Sequence, residues 1–247
     1  MLMRYSVKLS YRGADFCGWQ VQPNAPSVQG TLEKALSTLL RTQVSVVGAG
    51  RTDTGVNAIG YIAHFDAAEG LDTGQMCYKL NAILPDSIAV HDIRGVPESF
   101  HARFSATKRE YTYFLHRVKD PFVDNFSFFY GYPDVDFEAM NRAASLLLGQ
   151  HDFSCFEKTG GDNKTSICTI SEAAWHKKDD DHWYFVVAAD RFLRNMVRAI
   201  VGTLLEVGRG KRTPESVLEL IGQGDRCAAG ESVPGHALFL TKIEYQE

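Results

Sequence analysis

Arg51 and Asp53 stand two residues apart in Gly50-Arg-Thr-Asp-Thr-Gly55, a short segment holding a guanidinium, a carboxylate and a glycine at each end. An ionised carboxylate can act as a nucleophile or a base, and a guanidinium can grip an anion. The glycines permit a sharp turn and leave space beside Asp53 for a ligand. Asp-x-Gly is also ordinary turn chemistry, because Asp bonds its own backbone and Gly accepts positive φ. Two nucleotide-binding motifs fail on spacing. Gly50 and Gly55 are separated as in a phosphate-binding loop, but Val56-Asn57 occupies the place of Lys-Ser/Thr. Gly48-Ala-Gly50 opens a dinucleotide fingerprint, yet Asp53 takes the position of its third glycine.

Such a loop aims a side chain only if rigid elements hold both its ends. Val44 to Val47 before it and Ile59 to Phe65 after it read as strands, with Ile59, Tyr61, Ala63 and Phe65 on one face. Upstream, Tyr5, Val7, Leu9 and Tyr11 alternate with polar residues as a half-buried antiparallel strand. Gly13 to Pro26 is a loop with more aromatic content than a passive connector needs. Ser27 and Asp72 are placed to cap helices, the second stopped by Pro85, and Ile88 to Val96 suggests another strand. Beyond residue 100 the rhythm repeats. Tyr111 to Leu115, Ile167 to Trp175, Trp183 to Ala189 and Leu238 to Tyr245 read as strands. Asp136 caps a helix ending at Gly149, Phe192 to Val207 is a strongly apolar helix, and Thr213-Pro214 opens a third.

The chain of 247 residues, 45% apolar and 23% charged, has the composition of a soluble globular protein. Its start enters a strand at once, so no signal peptide is expected, and no apolar run is long enough to span a membrane. Five cysteines without a CxxC pair point to reduced thiols, hence a cytoplasmic protein. The scattered histidines give a metal no obvious home. Net charge is −4, but residues 100–119 and 191–212 together hold eleven Lys/Arg against two carboxylates. Basic stripes on an acidic body suit a phosphate-lined partner held on one face. The expected class is therefore α+β: two related α/β lobes, 1–105 and 106–247, sharing a largely antiparallel sheet with a central basic cleft.

Further motifs accompany the Asp53 loop: Phe16-x-Gly-Trp-Gln20, Ser27-Val-Gln-Gly30, Phe100-His-Ala-Arg-Phe-Ser105, Arg109-x-Tyr-x-Tyr113, and Met196-Val-Arg198 running on through Gly202. With these in this order, the chain resembles the tRNA pseudouridine synthase A (TruA) family nearly end to end. The resemblance implies ferredoxin/RRM-like lobes and isomerisation of uridines in the tRNA anticodon arm to pseudouridine, without metal or organic cofactor, by a homodimer. It implies Asp53 as nucleophile, Arg51 filling the gap left by the flipped base, and Tyr111 stacked on the target uracil. Arg198 would be the ion-pair partner of Asp53, Leu238 an apolar wall of the pocket and Arg109 a further substrate contact. Asn57 stands where the family usually has His, and Glu231 to Pro234 with Ala237-Leu238 also depart, changes expected to bear on RNA contacts and pocket shape. Two rivals are a non-catalytic RNA-binding homologue and a hydrolase using Asp53 with Arg51 on a small phosphorylated substrate.

Overall fold

A computed structural model describes residues 1–158, 160 and 164–246. The chain forms two compact units, Met1–Thr107 together with the segment from residue 239 on, and Lys108–Leu238.

The first unit begins with β1 (Leu2–Tyr11), α1 (Val28–Leu40), β2 (Val47–Gly48), β3 (Asn57–Ala68), α2 (Thr73–Ile83) and β4 (Ile88–Val96). β1 lies antiparallel between β3 and β4, with Tyr5 opposite Phe65 and Val7 opposite Ile93. Its alternation holds, since Tyr5, Val7, Leu9 and Tyr11 are all buried. Both helices start where the sequence expects. Ser27 Oγ accepts the N–H of Gly30 at 3.2 Å, and Asp72 Oδ1 that of Gln75 at 2.9 Å. Val28, Leu32 and Leu36 from α1 and Met76 and Leu80 from α2 enter the core. Two details differ from expectation. Val44 and Val46 are buried, but ladder hydrogen bonds begin only at Val47. Ile59 is 52% exposed, because the register shifts between Leu9, opposite Tyr61, and Tyr11, opposite Ala58. That bulge breaks the alternation that would have placed Ile59 beside Tyr61.

In the second unit come β5 (Ala106–His116, from Lys108 on), β6 (Phe128–Phe129), α3 (Phe137–Ser145), β7 (Gly149–Asp152), β8 (Ile167–Lys177), β9 (His182–Ala189), α4 (Met196–Gly208) and α5 (Ser216–Gln223). β5, β9, β8 and β7 neighbour one another in that order, all antiparallel, with β6 parallel beside β5. α3 packs on α4 and β8. Asp136 caps α3 as expected, its Oδ1 accepting the N–H of Ala139 at 2.8 Å. α4 starts four residues later than the apolar pattern implies, after Asn195 in the left-handed region at φ 65°. Phe192 therefore lies outside the helix.

β10 (Leu238–Tyr245) then returns to the first unit, pairing parallel to β3 with Phe239 opposite Asn57. Chain order alone had kept this strand with the second half.

Candidate active site

The Asp53 loop connects β2 to β3 and is braced by three rings from separate segments. Tyr11 Oη and Thr52 Oγ1 share a buried hydrogen bond of 2.8 Å, and the backbone N–H of Trp19 donates to Thr52 O at 3.2 Å. Tyr61 Oη donates to Gly50 O. Trp19 stacks on Tyr61 at 4.1 Å, and Tyr11 meets Tyr61 edge-on at 5.5 Å. The rings come close enough that a Cβ at Gly48 would lie 2.2 Å from Tyr61 Oη. Gly18, at φ 94°, would set a Cβ 2.3 Å from Thr52 O, so a side chain is excluded there by both strain and space. Thus Gly50 and Thr52 are tied down, Arg51 and Thr54 are exposed, and Asp53 is half-buried between them. The turn closes with Val56 N–H donating to Asp53 O at 3.1 Å.

The aromatic loop from Gly13 to Pro26 acquires its purpose here, since it supplies one brace and the backbone on which the Asp53 loop rests. Asn57 lies inside the fold. It is only 2% exposed, and its Oδ1 accepts the Gly13 N–H at 2.8 Å. The residue pins one loop to the other and offers little surface to an RNA.

In the second unit, Arg109, Tyr111 and Tyr113 follow the period of two along β5 and share a face. Half-buried Tyr111 receives Phe192 edge-on at 5.1 Å, and Arg109 Nη1 donates to Asp190 O at 2.7 Å. Tyr113 is fully buried and donates to Pro234 O at 3.1 Å. Burial pushes its phenol far above the usual range, opposed by the nearby Arg198 guanidinium.

Arg198 sits near the start of α4, where an apolar helix would otherwise strand its charge. Its Nε donates to Val233 O at 2.7 Å, and the Val233 N–H returns to Arg198 O at 3.2 Å. Residues 230–233 form a strap lying along this helix. Thr203 Oγ1 accepts the Gly230 N–H at 2.9 Å, Asn195 Nδ2 donates to Ser232 Oγ at 2.5 Å, and Arg226 donates to Ser232 Oγ at 2.9 Å. The fit is so close that a Cβ on Gly202 would lie 1.8 Å from Glu231 O. A short turn at Gly235–Ala237 then leads to Leu238, which is buried. Sequence reasoning singled out Arg198 and Leu238 but missed Asn195, Thr203, Arg226 and Ser232; the one signal was a lone glycine inside an apolar helix.

Part of the basic run is spent internally. Arg117 donates to the carbonyls of Tyr130 at 3.0 Å, Tyr132, and Pro133 at 3.0 Å. The Arg209 guanidinium lies 3.6 Å from the centre of the Tyr132 ring, and Arg212 pairs with Glu206. Arg103, Lys119, Arg194 and Lys211 are exposed. Among the described residues, no group of three or more His, Cys, Asp or Glu could hold a metal ion, and no helix is long and apolar enough to cross a membrane.

Residues 9–105 and 143–246 match the sequence model of a family described as tRNA pseudouridine synthase. Those spans contain Arg51, Asp53, Arg198 and Leu238, while Arg109 and Tyr111 fall between them. Full-length similarity covers the gap. The chain is 52% identical over 248 residues to tRNA pseudouridine synthase A of Bacteroides thetaiotaomicron, covering 100% of this chain and 92% of that one. It is 51% identical to the protein of the same name from Parabacteroides distasonis, covering 100% and 97%. Against that of Bacillus licheniformis the identity is 41%, covering 98% and 99%.

Proposed function

This chain belongs to the tRNA pseudouridine synthase family and isomerises uridine in tRNA to pseudouridine, and we propose that it acts on the anticodon arm with Asp53 as its nucleophile. The reaction breaks the C1′–N1 glycosidic bond and forms a C1′–C5 bond; C5 loses a proton and N1 gains one, so no atom or electron is left over. Each route open to Asp53, addition at uracil C6, attack at ribose C1′ or removal of a sugar proton, needs its carboxylate ionised. The observation that carries the assignment is the bracing of Gly50 and Thr52 by Tyr61, Tyr11 and Trp19, which fixes the backbone of a half-buried acid beside an exposed arginine.

The remaining roles follow from the resemblance. Arg198, its Nε already held by Val233, supplies the counter-charge that keeps Asp53 ionised. Tyr111 offers a ring to the extruded uracil, which stacking holds by roughly 1–3 kcal/mol against the few kcal/mol spent on flipping it. Arg51 takes the place of the flipped base, Leu238 walls the pocket, and Arg109 adds a substrate contact. The working form is a homodimer, and it works in the cytoplasm, where its tRNA substrate is. Sedimentation at micromolar concentration should return twice the 27.5 kDa chain mass; a single-chain mass rejects the dimer.

Tritium release from tRNA labelled at uracil C5 tests the nucleophile. Wild type should release it, and Asp53→Asn should bind tRNA without releasing any. Equal release from both removes Asp53 from the mechanism. No release from wild type, with tRNA still bound, favours the non-catalytic RNA-binding reading.

A further inference from the structure

The motif Phe100-His-Ala-Arg-Phe-Ser105 has no part in the chemistry above, yet hydrogen bonds from β1, β3 and β10 hold it in place. Ala102 is buried; its N–H donates to Nδ1 of buried His64 at 3.1 Å, and its carbonyl accepts from Tyr245 Oη at 2.8 Å. Arg4 Nη1 donates to Phe100 O at 3.0 Å, and the Phe100 ring lies 5.1 Å from Tyr245. The turn is closed by His101 N–H on Ser105 Oγ at 3.0 Å and Ser105 N–H on His101 O at 2.9 Å. His101 Nδ1 accepts both the Arg103 and the Phe104 N–H at 3.2 Å, which fixes its tautomer and ring.

All this order presents one ring to solvent. Phe104 is 76% exposed, its face 4.4 Å from the His101 ring and its neighbour Arg103 positioned 5.5 Å over it. Single exposed apolar residues are common and need no explanation. An exposed ring on a turn fastened at both ends, with a histidine against it and a guanidinium over it, is another matter. Proteins that hold unpaired nucleotides combine these parts: an aromatic face for the base and a cation for the adjoining phosphate. The turn also shares its scaffold with the Asp53 loop, since His64 stands on β3 directly opposite Val47 of β2. A nucleotide held at Phe104 is thereby referenced to the same strand pair that carries Asp53.

We propose that Phe104 and Arg103 form a second RNA contact outside the flipped-base pocket, where Phe104 stacks on an unpaired base of the tRNA and Arg103 meets the neighbouring phosphate. The inference rests on the tRNA-modifying reading above. Its readout is tRNA affinity by filter binding, with Phe104→Ala, Phe104→Leu, Phe104→Trp and Arg103→Gln. Loss of stacking weakens binding by about 5- to 150-fold in Phe104→Ala. Phe104→Leu, which keeps the bulk and the fold, should be nearly as weak, whereas Phe104→Trp should restore wild-type affinity or better. Arg103→Gln should lower the slope of log affinity against log salt by about 0.7–0.9. Wild-type binding by Phe104→Ala, or equal binding by the Leu and Trp variants, overturns the platform. Failure of the underlying reading looks different, because wild type itself then releases no tritium from tRNA.

Discussion

At His64, burial and hydrogen bonding act in the same direction. Its Nδ1 accepts the Ala102 N–H, so a proton there costs that bond as well as hydration. Burial, then the Arg4 guanidinium and His101, push the imidazole from 6.5 down to about 4, with Asp66 opposing. Between those two pH values the unfolded chain binds a proton that the folded chain refuses. Stability therefore falls as pH drops from about 6.5 to about 4, by at most about 1.4 kcal/mol per unit from this group. Urea titrations across that window should show a shallower pH slope for His64→Asn than for wild type. Equal slopes would mean that another group carries the effect. Such pairings were not legible in the sequence, where His64 is one histidine among eight and Ala102 lies 38 residues away. Asp53 stood out in the sequence as a candidate, because the residues that make it reactive-looking are its immediate neighbours. Its braces did not, since Tyr11, Trp19 and Tyr61 come from three segments and meet only after folding.

The same contrast holds for whole elements. The caps at Ser27, Asp72 and Asp136 were readable because each acts within three residues of itself. The bulge that turns Ile59 outward was hidden because β1 sets it, and the late start of α4 was hidden because Asn195 takes positive φ. The strap along α4 gives the sharpest test at this scale. Replacing Gly202 by Ala gains up to about 1 kcal/mol of helix propensity. The added methyl would stand 1.8 Å from a backbone carbonyl, and overpacking of that kind costs roughly 1–3 kcal/mol, so the clash wins. Gly202→Ala should lower the urea midpoint and, by moving Val233 off Arg198 Nε, cut tritium release at saturating tRNA by at least tenfold. Normal values for both would mean that the strap does not position Arg198.

For the molecule as a whole, electrostatics must be counted after folding. The two basic runs hold eleven cations, but Arg109, Arg117, Arg198, Arg209 and Arg212 each bind groups of their own chain. With a net charge of −4 behind them, the exposed Arg103, Lys119, Arg194 and Lys211 set the least phosphate contact to be expected. Binding of tRNA should weaken with salt along a log–log slope at least as steep as about −3 per chain. A slope near −10 would show that the internally engaged arginines also reach RNA, and a flat response would exclude phosphate contacts altogether. The two-part α+β layout was visible in the repeated strand–helix rhythm, but the return of β10 to the first unit was not. That return has a consequence for biosynthesis. The strand that follows the Asp53 loop emerges from the ribosome early, while its parallel neighbour is translated only after the entire second unit. Until then the Asn57 end of β3 lacks this partner, so the nascent chain carries the Asp53 loop on an incomplete support until the second unit has been made.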